Sequence, residues 1–342
     1  MKAMILSGLG DLKRNRNPLS FRDVPDPSPA EGEILIRVSA CGVCHTEIDE
    51  IEGRTPPPGF PVIPGHQVVG SVAGNGPKAS RFKTGDRVGV AWIYSTCGNC
   101  RFCRGGRENL CPDFKATGRD ADGGYAEAMV VPEEFAYPIP GVFSDSEAAP
   151  LLCAGAVGFR SLKLAGLEDG GNLGLSGFGA SGHLVIQVVR RTHPRSRIFV
   201  FARSSEQREL ALALGAAWAG DIEEDPGERL QAVIDTTPAW KPIVRSLRHL
   251  ERGGRLVINA IGKEDADKDE LLDLDYAYDL WMEKSIVSTA NVTRSDVAEF
   301  LKLAAEIPIR PEVVEFGLKD ANHALVEIRE RKIRGAKVLR VG

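Results

Sequence analysis

Four cysteines lie close together in the first half of the chain. They follow a C-x2-C-x2-C-x7-C pattern within 15 residues, at Cys97, Cys100, Cys103 and Cys111. Four thiolates this close match the closed tetrahedral arrangement of a structural zinc site. The chain has 7 cysteines, an odd and clustered set, which favours metal binding or catalysis over disulfides. We therefore predict a structural zinc lobe at about residues 95–113.

A second set of metal-binding residue types is dispersed. Cys44, His66 and Cys153 are separated by 22 and 87 residues. Three ligands that leave one position open are the arrangement of a catalytic zinc. Spacing alone does not single out this set, because an isolated Cys153 is more often a core thiol and an isolated His66 a loop histidine. Cys41 and Cys44 also form a C-x-x-C pair, which would suit a redox couple instead.

A glycine-rich turn is the third chemical signal. It fits G-x-G-x-x-G and lies between a predicted strand at 172–176 and a predicted helix at 182–191. Its glycines allow a tight turn and a close backbone approach, so that a pyrophosphate can lie at the helix N-terminus. A nucleotide-free α/β turn is the alternative. We predict that the dinucleotide contacts Gly177, Gly179, Ala180, Ser181 and Gly182.

The end of the next predicted strand, at 197–202, bears on the choice of dinucleotide. An NAD site commonly places an acidic residue about 20 residues past the glycines, on the ribose hydroxyls. This chain has Ala202, Arg203, Ser204 and Ser205 there, and its first acid is Glu206. Arg203 and the serines suit a 2′-phosphate, so we expect NADP to be used and modestly preferred over NAD. The opposing interpretation is that Arg203 is solvated and that Glu206 binds the ribose.

These residues must be positioned by two different kinds of structure. The first 150 residues hold short β-type runs between Gly- and Pro-rich turns, as in a mainly β, barrel-like domain. From residue 172, strands alternate with helices, which implies a parallel, doubly wound sheet. Further strands are predicted at 231–235 and 255–260, and helices at 206–214, 242–250 and 295–306. Ser204 or Ser205 is expected to cap the 206–214 helix and Gly215 to end it, and the apolar run at 336–341 could rejoin the first domain.

Composition excludes several classes of protein. A chain of 342 residues suits two domains with a sizeable core. The balance of 43 basic and 47 acidic residues gives a net charge of −4, with no basic block for nucleic acid or an anionic membrane. No run approaches the ~18 apolar residues of a membrane span, and charged residues from Asp11 onward end the N-terminal apolar run too early for a secretory signal. We expect a cytoplasmic protein.

The motifs together resemble those of the zinc-containing medium-chain alcohol dehydrogenases, in the same order and over nearly the whole chain. Besides the four-cysteine lobe and the glycine turn, the resemblance is carried by residues 42–47 (Gly-Val-Cys-His-Thr-Glu), 64–67 (Pro-Gly-His-Gln), 123–127 (Gly-Gly-Tyr-Ala-Glu) and 150–155 (Pro-Leu-Leu-Cys-Ala-Gly). It implies an α/β chain with a GroES-like, mainly β catalytic domain at 1–149 and 291–342. A Rossmann NAD(P)-binding domain with a doubly wound parallel sheet, at 150–290, would interrupt it.

The resemblance also implies site residues. It places a catalytic zinc on Cys44, His66 and Cys153 and a structural zinc on the four clustered cysteines, hence two zinc ions per chain, with Cys41 a spare thiol. Further roles fall on single residues near the first ligand: Thr46 takes the alcohol proton, Glu47 orients the histidine ligand, His45 lies near the cofactor pyrophosphate, and Asp49 ends the proton relay.

Some positions depart from the family's pattern or have two interpretations. The usual Gly-His-Glu ends in Gln67, which removes a carboxylate close to the metal. Where many relatives have a phosphate-binding arginine, this chain has Ala336. Arg334 or Lys337 would have to take over the role of that arginine. Trp92 resembles the aromatic residue that narrows the pocket of relatives that prefer small alcohols, but a core tryptophan is the alternative.

The activity that the resemblance implies is a reversible hydride transfer between a primary or secondary alcohol and NAD(P), in a homodimer or homotetramer that takes small alcohols and aldehydes. Its main alternative is a dehydrogenase of the same family for a bulkier polyol, cyclic or acyl-thioester-linked hydroxyl. A zinc-free quinone or enoyl reductase would lack the three dispersed ligands. A non-catalytic zinc protein that senses nucleotide would not turn over any alcohol.

Overall fold

A mixed sheet and a parallel sheet divide the chain into two units. The computed structural model describes residues 1–307, 309–330 and 335–342. Unit 1 consists of Met1–Ala156, Val292–Glu306 and Arg310–Gly342, and unit 2 of Val157–Asn291 and Ile307–Ile309. Unit 1 is therefore assembled from separate stretches of the chain, whereas unit 2 is almost continuous.

The strands of unit 1 are β1 (Lys2–Leu6), β2 (Leu19–Asp23), β3 (Glu33–Val43), β4 (Val68–Asn75), β5 (Arg87–Val90), β6 (Ile93–Ser95), β7 (Lys115–Ala116), β8 (Ala128–Pro132), β9 (Ala136–Pro138), β16 (Val313–Gly317) and β17 (Ala336–Arg340). Those of unit 2 are β10 (Leu173–Ser176), β11 (Ile198–Phe201), β12 (Trp218–Gly220), β13 (Leu230–Asp235), β14 (Leu250–Ile258) and β15 (Ser285–Ser288). The α-helices of the chain are α1 (His45–Ile51), α2 (Arg101–Arg104), α3 (Asp145–Ala148), α4 (Ala154–Ala165), α5 (Gly182–Thr192), α6 (Ser205–Ala213), α7 (Lys241–His249), α8 (Arg294–Glu306) and α9 (Ala321–Arg329).

The long strand β3 organises unit 1. Its sheet has the order β16-β17-β3-β4-β5-β9, with β8 also paired to β3, and all pairs except β16–β17 are antiparallel. Side chains alternate between the two faces of a strand, and this alternation buries Ile34, Ile36 and Val38. The C-terminal strand β17 pairs with the end of β3, with Lys337 opposite Val43. The end of β3 leads directly into the segment that carries Cys44.

Unit 2 confirms the predicted doubly wound fold. Its six strands are all parallel, in the order β12-β11-β10-β13-β14-β15. The predicted strands at 172–176, 197–202, 231–235 and 255–260 are found as β10, β11, β13 and β14. The strand order reverses between β10 and β13, and ligands of such sheets bind beyond the carboxyl ends of the strands at this switch point. The glycine-rich turn follows β10 at that place.

The predicted cap of α6 is only partly right. Ser204 is the N-cap residue, but its side chain makes no capping hydrogen bond and its hydroxyl donates to Glu206 instead, at 3.2 Å. At the other end Gly215, with φ at 96°, has the left-handed backbone that ends a helix.

One segment meets the length and composition criteria of a membrane span. It is Asp145–Ala165, 21 residues long with a mean hydropathy of 1.2, and 72% of the apolar window is buried inside the protein. A buried core helix has this same length and composition. The apolar character of the segment is thus accounted for by packing.

Candidate active site

The structure brings together the three dispersed ligand candidates of unit 1. The Nε2 atom of His66 lies 3.6 Å from the Sγ of Cys44 and 3.3 Å from the Sγ of Cys153. All three ligand atoms lie within 4.8 Å of one another. A nitrogen at ~2.1 Å and a sulfur at ~2.3 Å from one tetrahedral zinc would be ~3.6 Å apart. The donor set therefore fits a zinc ion that keeps one position open.

Local sequence explains where Cys44 lies. Cys44 is the N-cap of α1, and its Sγ accepts a hydrogen bond from the backbone N–H of Thr46 at 3.4 Å. Glu47, at the third helical position, accepts the backbone N–H of Cys44 at 2.9 Å through Oε2. Such a reciprocal capping box fixes the helix start. The thiol is therefore held by the same bonds that begin the helix.

His66 is delivered by a tight turn that needs glycine. Gly65 has φ at 99°, and a Cβ there would lie 2.3 Å from the ring of Tyr125 and 2.9 Å from the Sγ of Cys41. Only glycine adopts this backbone without strain or collision. The buried thiol of Cys41, predicted to be a spare, thus packs behind the turn and is not one of the three clustered ligand candidates.

A buried carboxylate orients the histidine ring. The Nδ1 of His66 lies 2.7 Å from the Oε1 of Glu47, and both side chains are almost wholly buried. Holding Nδ1 in this way directs Nε2 toward the two thiols and makes the ring a better ligand. Glu47 therefore occupies the position that the family resemblance predicts for the orienting acid.

The charges of the site are set by burial and mutual contact. A hydrogen bond with Cys153 and then burial raise the pKa of the Cys44 thiol well above its ordinary value. Burial lowers the pKa of His66, but Glu47 and Cys44 outweigh it and hold that pKa well above the ordinary range. A bound dication reverses this preference of the thiol, because coordinated thiols lose their proton. Binding of a metal to Cys44 would therefore release its thiol proton.

The residues of the predicted proton path lie along α1. Thr46 is buried, with 7% of its surface exposed. The Oδ1 of Asp49 lies 3.4 Å from the Nδ1 of His45 and accepts a hydrogen bond from the Nε of Arg54 at 2.5 Å. His45 is the partly exposed member of this group. Asp49 therefore links the buried face of α1 to His45. Arg54 holds the Asp49 carboxylate, and the sequence did not indicate this partner.

Another acid of α1 also escaped the sequence prediction. Glu50 is 2% exposed, and its Oε1 has no hydrogen-bond partner among the described residues. Burial and then Glu47 raise the pKa of Glu50 well above its ordinary value. Gln67, which stands where the family has an acid, is equally buried and packs over Gly42. Nothing in the sequence distinguishes Glu50 from the solvated acids that helices usually carry.

The four-cysteine lobe forms a second closed cluster. The Sγ–Sγ distances are 3.5 Å for Cys100–Cys103 and for Cys111–Cys97, and 3.9 Å for Cys97–Cys103. Sulfurs at ~2.3 Å from a tetrahedral zinc are ~3.8 Å apart, so the cluster fits this metal. The backbone N–H of Cys103 lowers the pKa of Cys100 to about 7, whereas burial raises that of Cys111 to about 12.

In unit 2 the glycine-rich turn has the predicted form. Gly177 has φ at 81°, and a Cβ there would lie 2.7 Å from the Oγ1 of Thr236. Ser181 is the N-cap of α5 and makes no side-chain capping bond, so the hydroxyl does not occupy the helix amides. Within the described part of the chain, the exposed Arg203 makes no hydrogen bond or ion pair. Its guanidinium is thus unengaged at the carboxyl end of β11.

Two of the remaining predicted positions are engaged elsewhere. The ammonium of Lys337 is buried, donates to Glu327 and lies 5.1 Å from the ring centroid of Phe316. Lys337 is therefore corrected from a possible phosphate ligand to part of a buried ion pair, and Arg334 lies outside the described residues. The ring of Trp92 is half-buried, 4.8 Å from that of Phe114.

Comparison with known proteins agrees with this architecture. Residues 30–141 match the alcohol dehydrogenase GroES-like domain family. A probable alcohol dehydrogenase, AdhA, of Mycobacterium tuberculosis (strain CDC 1551 / Oshkosh) is 44% identical over 318 residues, which are 92% of this chain and 90% of that protein. An alcohol dehydrogenase of Geobacillus stearothermophilus is 33% identical over 335 residues, 95% of this chain and 96% of that protein.

A solved structure shows the same fold. The crystal structure of an NAD-dependent alcohol dehydrogenase, 25% identical, covers 100% of both chains with a TM-score of 0.89. The chain thus combines a GroES-like unit and a parallel-sheet unit, and its relatives are alcohol dehydrogenases. The chain belongs to the zinc-containing medium-chain alcohol dehydrogenase family.

Proposed function

We propose that the chain catalyses reversible hydride transfer between a primary or secondary alcohol and NAD(P), with zinc on Cys44, His66 and Cys153. The observation that carries this proposal is the convergence of the three ligand atoms within 4.8 Å. Zinc bound there supplies a Lewis acid toward the oxygen of an alcohol or aldehyde. A second zinc, on the four-cysteine lobe, serves the structure alone because four protein ligands close its coordination.

The chain's own residues then hold the ligands and move the proton. Glu47 holds the His66 ring and the Cys44 amide, so two ligands keep their orientation throughout the reaction. The hydroxyl of Thr46, two residues from Cys44, relays the alcohol proton: its oxygen accepts that proton while its own proton passes on toward Asp49 and His45. Asp49 and His45, which are in contact, continue the path toward the partly exposed imidazole. In aldehyde reduction the same groups return the proton.

The dinucleotide is assigned to unit 2. A pyrophosphate would lie on the turn from Gly177 to Gly182, at the N-terminus of α5, where backbone amides and the helix dipole favour anions. The unengaged guanidinium of Arg203 supports binding of a 2′-phosphate, and neighbouring Ala202 carries no carboxylate to repel it. The solved relative, an NAD-dependent alcohol dehydrogenase, supports the other dinucleotide. We propose use of both, with NADP modestly preferred.

We also propose a homo-oligomer, a dimer or tetramer, in the cytoplasm. β15 is an edge strand of the unit 2 sheet, and large apolar side chains on and before it are exposed: Leu272, Tyr276, Tyr278, Trp281 and Ile286. Exposed apolar clusters of this kind mark interaction sites. All seven cysteines are free, as in a reducing compartment. Light scattering at several protein concentrations distinguishes monomer, dimer and tetramer.

The test is an initial-rate panel on protein of measured zinc content. Short, aromatic, polyol and cyclic alcohols are each offered with NAD and with NADP, and an acyl-thioester-linked hydroxyl is included. We expect turnover of a primary or secondary alcohol that is lost when a chelator removes zinc. Highest kcat/KM for a polyol, cyclic or thioester-linked substrate would favour the bulkier-substrate dehydrogenase. Absence of turnover with every pair would refute the proposed activity.

A further inference from the structure

A buried ion pair lies at the switch point of the unit 2 sheet. Asp235, the last residue of β13, is fully buried, and the side chain of Lys263 is only 8% exposed. The Nζ of Lys263 donates to the Oδ2 of Asp235 at 2.5 Å. It also donates to the backbone carbonyls of Thr237 at 2.7 Å and of Ala239 at 3.1 Å. All three ammonium hydrogens are thus used.

The carboxylate of Asp235 is equally occupied. Its Oδ1 accepts the hydroxyl of Ser176 at 2.8 Å and the hydroxyl of Thr237 at 2.9 Å. Ser176 is the last residue of β10 and directly precedes the glycine-rich turn. The pair therefore connects three segments: the start of the turn, the loop after β13 and the loop after β14.

Backbone hydrogen bonds extend the same connection. The N–H of Asn259 donates to the carbonyl of Asp235 at 2.7 Å, and the N–H of Glu264 donates to that of Pro238 at 2.7 Å. The carboxylate of Asp267 accepts the backbone N–H groups of Trp240 and Lys241, at 2.9 Å each, at the start of α7. The loops at 236–240 and 259–264 are thus joined through the contacts of Lys263 and Glu264.

The pair is hard to explain by stability alone. Moving two charges out of water costs desolvation free energy, which offsets much of the free energy gained from their attraction. A buried ion pair can therefore often be replaced by apolar residues at no cost in stability. Such a pair does impose one arrangement on the groups around it. These groups lie beyond the carboxyl ends of β10, β13 and β14, where a dinucleotide binds in a sheet of this order.

We propose that Lys263 and Asp235 are positioning residues for the dinucleotide: they hold the loops at 236–240 and 259–264 against the start of the glycine-rich turn before the nucleotide arrives. This inference rests on the proposed dinucleotide site. If the loops are already in place, nucleotide binding does not have to order them. The apparent affinity is proportional to the fraction of molecules in which the loops are in place.

The test measures the dissociation constants of NADH and NADPH for the zinc-loaded protein by titration calorimetry. Lys263→Met removes the ammonium and keeps most of the side-chain volume. If the loops are then correctly placed in about a tenth of molecules, the dissociation constants for both nucleotides rise about tenfold. KM for the nucleotide rises more than kcat falls. Without nucleotide, amide hydrogen exchange quickens at 236–240 and 259–264, and zinc content does not change.

Lys284→Met is the matched control. Lys284 also donates to two backbone carbonyls, those of Leu247 at 2.8 Å and of Tyr278 at 3.0 Å, but it precedes the amino end of β15. This variant is expected to lose stability without losing nucleotide affinity. Asp235→Asn combined with Lys263→Met removes both charges, so it should regain stability over Lys263→Met, yet its affinity should stay low because the carbonyl contacts remain absent.

Wild-type protein that binds neither NADH nor NADPH would refute the proposed function and this inference together. Wild-type binding with unchanged affinity in Lys263→Met would overturn this inference alone. An equal loss of affinity in Lys284→Met would also overturn it, because the effect would then be a general loss of structure. If Lys263→Met does not fold, the charge-free double variant decides: wild-type affinity in it overturns the proposal, and low affinity with accelerated loop exchange supports it.

Discussion

The carboxylate of Glu47 contacts two of the three clustered metal-ligand candidates at once: its Oε1 lies 2.7 Å from the Nδ1 of His66, and its Oε2 accepts the backbone N–H of Cys44 at 2.9 Å. Because the side chain is fully buried, water cannot replace either contact. One residue outside the cluster therefore contacts two of its three ligand candidates.

Replacing Glu47 with glutamine should weaken zinc binding at the catalytic site by about 10- to 100-fold, the usual cost of losing such a partner. Zinc transfer to a chromogenic chelator measures the affinity, and the structural zinc provides an internal reference. Glu50→Gln is the control, since Glu50 lies on the same helix and equally deep, with no hydrogen bond to a ligand among the described residues. Equal zinc affinity in Glu47→Gln and the wild type would contradict this role.

The two cysteine clusters should have separable roles. Cys153→Ser should give a folded protein with one zinc and little turnover. Cys111→Ser should also retain one zinc but unfold at lower temperature, because a closed structural site contributes folding free energy. Metal analysis, thermal unfolding and initial rates on both variants check this. One zinc in fully active wild-type protein would be incompatible with the assignment.

Removing the hydroxyl of Thr46 should slow alcohol oxidation. Thr46→Val keeps the shape of the side chain and is expected to lower kcat by about 10²–10⁴-fold, the range for general acid–base groups. Thr46→Ser restores the hydroxyl and should recover most of the rate. Normal oxidation by Thr46→Val at neutral pH, with wild-type zinc content, would exclude Thr46 from the proton path.

Changing two residues at the end of β11 should reverse the preference of the enzyme between NADP and NAD. Arg203 is exposed and makes no hydrogen bond or ion pair with the residues described, so it is free to pair with a 2′-phosphate. Combining Ala202→Asp with Arg203→Ala should lower kcat/KM for NADP and raise it for NAD. Arg203→Lys keeps the positive charge but cannot form a bidentate pair, so it shows which of the two properties the preference for NADP requires. If the wild type prefers NAD and the double change alters neither kcat/KM value, this strand end does not contact the adenosine ribose.

Acid should destabilise unit 2 partly through His249. Burial against Phe201, whose ring is stacked on the imidazole at 5.1 Å, lowers the pKa of His249. The unfolded chain therefore takes up a proton near pH ~6.5, before the folded one does, and the free energy of unfolding falls as pH drops below that value. Above it the contribution is fully present.

The measurement compares urea unfolding at about pH 8 and pH 5.5, on either side of the unperturbed histidine pKa. His249→Gln should lose less stability between these conditions than the wild type. Acid release of zinc affects both proteins alike, so the difference between them isolates His249. Identical pH dependence in the two proteins would mean that this histidine does not titrate differently on folding.

What the sequence could predict follows from how local each feature is. The glycine turn between β10 and α5 and the four-cysteine lobe each depend on a few neighbouring residues, so spacing alone indicated them. Cys44, His66 and Cys153 needed the family resemblance, because only the fold of β3, β4 and the following segments brings them together. Their roles as ligands remain predictions that the variants above test.

Other features could not be read in advance. Lys263 stands in a Gly-Lys-Glu-Asp run that has the pattern of a solvated turn, and its partner is 28 residues earlier. The short strands β12, β15 and β16 have too few residues for a periodic signal, and their extended form depends on pairing with a neighbouring strand. Lys337 has the sequence context of an exposed cation, but its ammonium is buried by contacts with Glu327, 10 residues earlier, and with Phe316.

The pairing of β17 with β3 has a consequence for biosynthesis. β3 leaves the ribosome long before β17, so residues 40–43 of β3 lack this partner while the intervening chain is translated, although β8 pairs with residues 33–37 earlier. Unit 2 is nearly continuous and can fold in the meantime. An open strand edge is a template for pairing with another chain. This end of β3 is thus available for pairing with another chain until β17 has been synthesised.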